Sequence, residues 1–568
     1  MESNNKVWLK CYTQGVPDTI NPDTFSSLSH FFEKYADDFS DRPVFTSFGV
    51  SITYAEMKQE IHDFAAFLQH TWQLKKGDRI AIMMPNVLQY PIAIFGALKA
   101  GLVVVNVNPL YTAPELAQQL NDCSADTILV LDTFADRLEA ALPDITVKNI
   151  MVASLGDMLG SFKGCVVNFV ARYIKRKVPR YTLPNPVFFK DALLQGKTLP
   201  YDPVQLVNSD LAFLQYTGGT TGRSKGAMLT HRNIIANVMQ CVSWIREVKA
   251  QNYGVILGAL PMYHIFSLTV CGMCIFPMGA STLLIVNPRD IPGMMKDIRH
   301  AGVSMVVGLN TLFIAMLNSP LFKKVDFSKL RLTISGGMAM QKSVAERWQQ
   351  MTGVPILEGY GLTESSPVLT LCPVNATHFT GSIGIPVPST EVSIRDESGQ
   401  ALPFNQPGEI WGRGPQVMKG YWHCAKETST VIDADGWLKT GDIGYMDERG
   451  YVYIVDRKKD MVLVSGFNVY PNEIEAVIGS HPGVQTVAVI GVPSEKTGEA
   501  LKAFVIKRDP ALTEADLIAH CRKSLTGYKI PRFFEFRAEL PTSNVGKVLR
   551  RELRVEEAAA RKAEPMSV

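Results

Sequence analysis

Along the first two-thirds of the chain, short apolar runs alternate with stretches whose apolar positions recur every three or four residues. The runs at 79–84, 126–131, 304–308 and 330–335 are nearly continuous. They predict strands buried on both faces. Residues 54–68 and 89–100 carry the helical period and predict helices between such strands. Apolar strands separated by helices predict an α/β fold with a mostly parallel, helix-covered sheet.

Around residue 382 the pattern changes. Short strand-like runs at 391–394, 408–411 and 450–454 crowd together with Gly and Pro between them. They predict a small antiparallel or barrel-like β region. A charged cluster, Asp456-Arg457-Lys458-Lys459-Asp460, follows. Beyond it lie roughly 100 residues of mixed helix and strand pattern, enough for a small α+β domain. The expected division is 1–456 and 457–568, with a frayed helix near the end.

Two stretches bear on membranes. Residues 255–287 contain no Asp, Glu, Lys or Arg. A spanning helix needs about 20 unbroken apolar residues, and Pro261, Pro277 and Gly279 interrupt this run. It predicts strand, helix and a second strand at 281–286 inside a core. Residues 160–180 mix an apolar run with Lys and Arg. Such a segment suits an anionic membrane surface, or equally a packed helix with a solvated basic end. The pattern alone leaves both open.

Composition narrows the class. With 568 residues, 46% hydrophobic and 20% charged, the chain supports several domain-sized units and a large core. A net charge of +3 and the lack of any nucleic-acid motif give no reason to expect a nucleic-acid partner. The N-terminus lacks an apolar signal core, and nine scattered cysteines suit a reducing compartment, so a cytoplasmic protein is expected. Cys271 and Cys274 form a lone C-x-x-C in apolar surroundings and predict buried thiols rather than a metal site.

The densest chemistry lies in Tyr216-Thr217-Gly218-Gly219-Thr220-Thr221-Gly222-Arg223-Ser224-Lys225-Gly226. The run 211–214 predicts a strand before it, and 234–239 a helix after it. Glycine lets backbone N–H groups approach an anion, threonines add donors, and Lys225 adds charge, which suits a polyphosphate. The spacing is not that of G-x-x-x-x-G-K-[ST], because Ser224 and Lys225 stand in the other order.

This loop resembles the phosphate-binding signature of the acyl-adenylate-forming ligases. Glu358-Gly359-Tyr360-Gly361-Leu362-Thr363-Glu364, Trp437-Leu438-Lys439-Thr440-Gly441-Asp442, Asp456-Arg457-Lys458-Lys459-Asp460 and Pro541-Thr542-Ser543-Asn544-Val545-Gly546-Lys547 match later motifs of that family in order. Asn106-Val-Asn-Pro-Leu-Tyr111 and Asn468-Val-Tyr-Pro-Asn-Glu473 resemble the bacterial long-chain fatty-acid–CoA ligases in particular. The resemblance implies that ATP, Mg²⁺, coenzyme A and a fatty acid are the ligands. It implies that Thr217 to Lys225 hold phosphates and that Glu364 with Thr217 holds Mg²⁺. Tyr360, beside Gly337, Gly361 and Thr363, would pack on adenine, and Asp442 with Arg457 would bind the ribose. Lys547 would neutralise charge at the α-phosphate, and Lys459 would sit in a hinge. Ser465 and Gly466 would line a CoA tunnel. His264 would stand at the mouth of the acyl pocket, or else be a buried structural histidine. Another acid or acceptor, such as an aryl acid or an acyl carrier protein, is the alternative. A peripheral membrane contact and a homodimer are the further partners considered. Two positions depart from the family pattern: Ser224 replaces a frequent proline, and Leu268 stands where some long-chain ligases have a gating tryptophan.

Overall fold

The computed structural model describes residues 6–217, 224–245, 254–465, 467–494, 496–542 and 548–563. A seven-stranded sheet takes the order Val187–Phe188, Asn149–Ala153, Thr127–Leu131, Arg79–Met83, Val103–Asn106, Leu211–Thr217 and Lys225–Thr230. All neighbours are parallel except the last pair, a hairpin. The period of two explains the continuous apolar runs. In Arg79–Met83, Ile80 and Ile82 join one core, while Ala81 and Met83 join another on the opposite face. Each face needs apolar residues, so no polar alternation survives.

A nine-stranded sheet lies against the first core. Its central strands, Ile356–Gly361, Leu332–Ser335, Met305–Gly308, Val255–Gly258, Ser281–Leu284 and Pro43–Ser47, run parallel, with antiparallel strands at both ends. The helix Gln89–Lys99 is buried over nearly its whole surface. Its Phe95 meets Phe276 edge-on at 5.3 Å. The uncharged stretch forms strand Val255–Gly258, helix Ile265–Val270 and strand Ser281–Leu284, the order its pattern predicts. Among the described residues, no helix is long and apolar enough to cross a membrane. Cys271 and Cys274 are buried, and burial pushes the Cys271 thiol up to about 12.

The crowded short strands form a four-stranded antiparallel sheet, Glu391–Arg395, Gly408–Arg413, Leu438–Met446 and Val452–Arg457. After Arg457 the chain enters a five-stranded sheet with helices Pro471–Gly479, Glu514–Cys521 and Arg550–Ala563, which has its own apolar clusters.

A buried amide chain ties the strand ends of the first sheet together. Tyr90 Oη donates to Asn106 Oδ1 at 2.7 Å, and Asn106 Nδ2 donates to Gln215 Oε1 at 2.9 Å. Gln215 Nε2 donates to the Tyr263 carbonyl at 2.7 Å. Asn106 and Gln215 are register partners at the carboxyl ends of parallel strands, where α/β sheets bind ligands. Replacing Gln215 with Leu leaves a buried amide N–H and a carbonyl unpaired. Urea unfolding of Gln215→Leu is expected to show a loss of about 2–3 kcal/mol.

Candidate active site

The glycine-rich loop closes a β-hairpin. The sequence placed it between a strand and a helix; the structure corrects this. Thr217 and Lys225 are register partners, Lys225 opens the strand Lys225–Thr230, and the helix His231–Trp244 begins only afterwards. Thr230 is the reason for the late start. Its hydroxyl accepts the Asn233 N–H, and the Asn233 side chain accepts the Thr230 N–H, a reciprocal cap. Ser224 Oγ donates to the Thr217 carbonyl at 2.5 Å and closes the neck, a tie that proline could not supply. Gly218, Gly219, Thr220, Thr221 and Gly222 lie outside the described residues.

The free edge of Lys225–Thr230 is covered by 419–422. Met228 N–H donates to the Gly420 carbonyl, and Trp422 N–H donates to the Gly226 carbonyl, both at 2.8 Å. Asn233 Nδ2 anchors the preceding turn through the Pro415 and Val417 carbonyls. Tyr421 is thereby set between two charged groups. Lys225 Nζ lies 5.3 Å from its ring centroid, and its hydroxyl donates to Glu364 Oε1 at 2.6 Å. Glu364 sits on the turn Thr363–Ser365 that follows strand Ile356–Gly361, and its carbonyl accepts Met418 N–H.

Tyr360, in that strand, is buried, and its hydroxyl donates to Asp442 Oδ2 at 2.6 Å. Burial, with Asp442 beside it, holds the phenol far above its ordinary range. Arg457 is the register partner of Asp442, with Nε 3.6 Å from Oδ1. Gly336 and Gly337 face this pair of motifs. A Cβ at Gly336 would stand 3.0 Å from Phe266 and 3.1 Å from the Gly359 carbonyl, and Gly337 has φ +77°. One at Gly361 would overlap the Pro367 carbonyl at 1.8 Å. These strands pack backbone to backbone where a planar ligand would need room.

One cavity of about 2840 Å³ joins Thr217, Lys225, Gly337, Tyr360, Gly361, Thr363, Glu364, Asp442, Arg457 and Lys459. It is several times the size of an ordinary ligand pocket. Ile265, Phe266, Val270, Cys274 and Met278, all from the uncharged stretch, also line it. His264 also lines the cavity and is exposed to it, not buried, with Nδ1 accepting the Phe266 N–H at 3.4 Å. Leu268 is buried and does not line the cavity. Glu358 does. It is buried, its Oε1 accepts the Met340 N–H at 3.1 Å, and burial pushes its carboxyl up to about 8.

The C-terminal unit closes over this cavity. Thr542 and Val548 line it; Lys547, between them, lies outside the described residues, as does Gly466. Ser465 does not line the cavity; it has φ +53°, and its N–H donates to the Thr497 carbonyl. Arg550 holds the unit in place. Its guanidinium pairs with Glu475 at 2.7 Å, Asp460 at 3.2 Å and Asp456 at 3.4 Å. Asp456 belongs to the last strand of the four-stranded sheet, and Asn472 N–H also donates to it. Burial pushes Asp456 and Glu475 up, while Arg554 and Arg550 hold the buried Asp460 below its ordinary value. Surrounding protein and then Arg457 pull the Lys459 ammonium down.

Residues 32–422 match the family model described as AMP-binding enzyme, and 473–547 match its C-terminal domain. The chain belongs to the AMP-binding enzyme family. A relative from Yersinia pestis named long-chain-fatty-acid–CoA ligase is 52% identical, covering 97% of this chain and 98% of the relative. One of the same name from Bacillus subtilis is 37% identical, covering 98% of each. The fold matches ATP-bound MatB from Rhodopseudomonas palustris with TM-score 0.78 at 28% identity, over 93% of this chain and 98% of that one. It also matches an anthranilate CoA ligase in complex with anthranoyl-AMP, TM-score 0.82 at 24% identity, over 96% and 99%.

In this AMP-binding enzyme the described residues Thr217, Lys225, Tyr360 to Glu364, Asp442 and Arg457 to Lys459 line one cavity, but three further polar residues there were not foreseen. Glu358 carries a usable signal, an acid in an otherwise apolar strand. Tyr421 carries none. Arg550 is one cation of a basic run until its three distant carboxylates are seen together.

Glu358 makes stability depend on pH. Its carboxyl rises from about 4.5 to about 8 on folding, so its favourable neutral form contributes fully below about 4.5. That contribution is lost as pH rises through about 8. Glu358→Gln keeps an acceptor for Met340 N–H and removes the proton. Urea unfolding between about pH 5 and about pH 8 is expected to give a flatter stability profile for the variant than for the wild type.

Proposed function

We propose that this chain is a long-chain fatty-acid–CoA ligase that works through an acyl-adenylate. The single observation that carries the reading is the continuity of the cavity. Lys225, Glu364 and Asp442 line the same cavity as Ile265, Phe266, Val270, Cys274 and Met278 of the uncharged stretch. A nucleotide and an apolar chain fit into the same space. The relatives named long-chain-fatty-acid–CoA ligase, alike over nearly the whole chain, support the same substrate class.

A carboxylate resists nucleophiles because it is already anionic. Its oxygen attacks the α-phosphorus of ATP, forms the acyl-adenylate and releases pyrophosphate. The CoA thiol, losing its proton, then attacks the acyl carbon and AMP leaves. The first step brings two anions together, so the site must supply positive charge and alignment. The loop Thr217–Lys225, with Gly218, Gly219, Thr220, Thr221 and Gly222, holds the β- and γ-phosphates. Tyr360 lies along adenine with Gly337, Gly361 and Thr363, and Asp442 and Arg457 take the ribose. His264 stands where the acyl chain meets the nucleotide. Lys547 meets the charge that builds at the α-phosphate.

Glu364 with the Thr217 hydroxyl fits Mg²⁺. One carboxylate and a hydroxyl, completed by phosphate oxygens, suit a hard cation that keeps much of its shell from substrate and water. Among the described residues no cluster of three or more His, Cys, Asp or Glu competes for it. When bound, Mg²⁺ offsets phosphate charge. Tyr421 keeps the Glu364 carboxylate aimed at that position. Glu364→Gln is expected to lower ATP–pyrophosphate exchange at least tenfold, or about 1.4 kcal/mol. Unchanged exchange across a magnesium titration would remove Glu364 from the site.

The second step belongs to a second pose. Rotation about Lys459 withdraws Lys547 and brings Ser465 and Gly466 to the thiol, consistent with Ser465 lying off the present cavity. Lys547→Ala is expected to abolish adenylation while supplied acyl-AMP is still converted to the thioester. Lys459→Pro, with φ held near −65°, is expected to do the reverse. Both half-reactions, run on both variants with a series of acids, test the whole reading. CoA-independent release of AMP, or a kcat/KM that peaks at a short or aryl acid, would overturn it. The enzyme meets its water-poor substrate at a membrane surface, and sedimentation velocity reads the other partner considered, a second copy of the chain.

A further inference from the structure

The segment Ser161–Ile174 is built inside out. It is an α-helix over Ser161–Phe169 that continues as a π-helical turn over Val170–Ile174. Its inner face holds mostly small and polar groups, with Val167 partly buried against the main core. Gly164 is buried against Gly156, so close that a Cβ on either would stand 2.3 Å from the other's carbonyl oxygen. Asn168 Oδ1 accepts the Gly156 N–H at 2.7 Å. Ala171 is buried as well. The large apolar side chains point the other way. Phe162 is 84% exposed, Phe169 56%, Tyr173 63% and Ile174 62%, with Val166 among them. The Phe169 and Tyr173 rings touch at 5.1 Å.

A helix packed into a core by its apolar stripe has the opposite orientation. Here the backbone contact at Gly156–Gly164 fixes the helix, and the stripe at 162, 166, 169 and 173 is left for something else to cover. Isolated apolar residues on a surface need no explanation, but a contiguous row on one helix does. Charge indicates what covers it. Residues 158–189 contain six Lys or Arg and no Asp or Glu. Lys175, Arg176, Lys177 and Arg180 are exposed directly after the apolar row. Lys163 and Arg172 are exposed too but tied back to the protein, at the Phe48 carbonyl and at Asp132.

We infer that the outward face of Ser161–Ile174 lies in the headgroup layer of an anionic phospholipid bilayer. This rests on the membrane-surface reading above and assigns it a place on the molecule. The aromatic and aliphatic side chains enter the boundary of the acyl region, while the basic run after them meets lipid phosphates. A second copy of this chain fits the face poorly. A two-fold contact would set the same basic run against itself.

The test uses the full chain, sedimented with vesicles of phosphatidylcholine alone or mixed in equal parts with phosphatidylglycerol. Wild type is expected to sediment with the mixed vesicles, far less with phosphatidylcholine, and less as salt is raised. F162S/F169S and K175E/R176E/K177E are each expected to reduce the bound fraction at least tenfold. Both are expected to keep wild-type ATP–pyrophosphate exchange with a water-soluble acid, since these side chains are on the surface. Wild type that stays in solution would overturn both the membrane reading and this assignment. Wild type that sediments together with both variants would overturn the assignment alone. A concentration-dependent dimer lost in F162S/F169S would also overturn it.

Discussion

The geometry over the cavity depends on one largely buried cation. Arg550 reaches from the C-terminal helix to Asp456 at the end of the preceding sheet, to Asp460 in the connection and to Glu475 on Pro471–Gly479. A guanidinium presents donors in a fixed plane, so the three carboxylates around it define this pose, and the rotation proposed above must release Arg550 from Asp456. The charges are costly to desolvate, and such a cluster adds little net stability compared with an apolar plug. Removing one partner is another matter, at about 3–5 kcal/mol, because the rest stay buried and unbalanced. The cluster therefore specifies where the small unit sits more than how firmly it folds. Thr542 and Val548 face the cavity because this lock holds.

The large unit shows the complementary strategy. Its cavity is made where strands end, and several polar groups there are fixed by hydrogen bonds or by register partners. Asp442 is set by its partner Arg457 and by the Tyr360 hydroxyl. Glu364 is set by Tyr421, which depends in turn on the 419–422 segment pairing with Lys225–Thr230. Gln215 and Asn106 join the loop's strand to the strand beside it. These candidate groups are thus positioned by strand pairing and by hydrogen bonds between neighbouring elements, and apolar residues of the uncharged stretch line the same cavity.

Much of this was legible in the residues. Continuous apolar runs gave the parallel sheets because two-sided burial leaves no room for polar positions. The motif residues Tyr360, Glu364 and Asp442 were read in order and meet in one cavity. What was not legible has physical causes. Glycine, serine and threonine carry too little side chain to reveal that Lys225 starts a strand instead of ending a loop. The Arg550 cluster spans residues 75 to 94 apart in sequence, beyond any local pattern. The stripe at 162–174 shows amphipathicity, but periodicity cannot tell which side of a helix meets the protein; Gly164 and Asn168 decide that through contacts with Gly156, in the loop just before the helix.

The Arg550 lock has a thermal consequence. Apolar contacts weaken on cooling, because the hydrophobic driving force fades as temperature falls. A joint between two units made of such contacts would loosen in the cold. Here the joint is ionic and is also weaker in the cold, because the desolvation cost of ion pairs declines as temperature rises. The registration of the small unit over the cavity is therefore expected to go on strengthening on warming, where the apolar cores on either side of it level off.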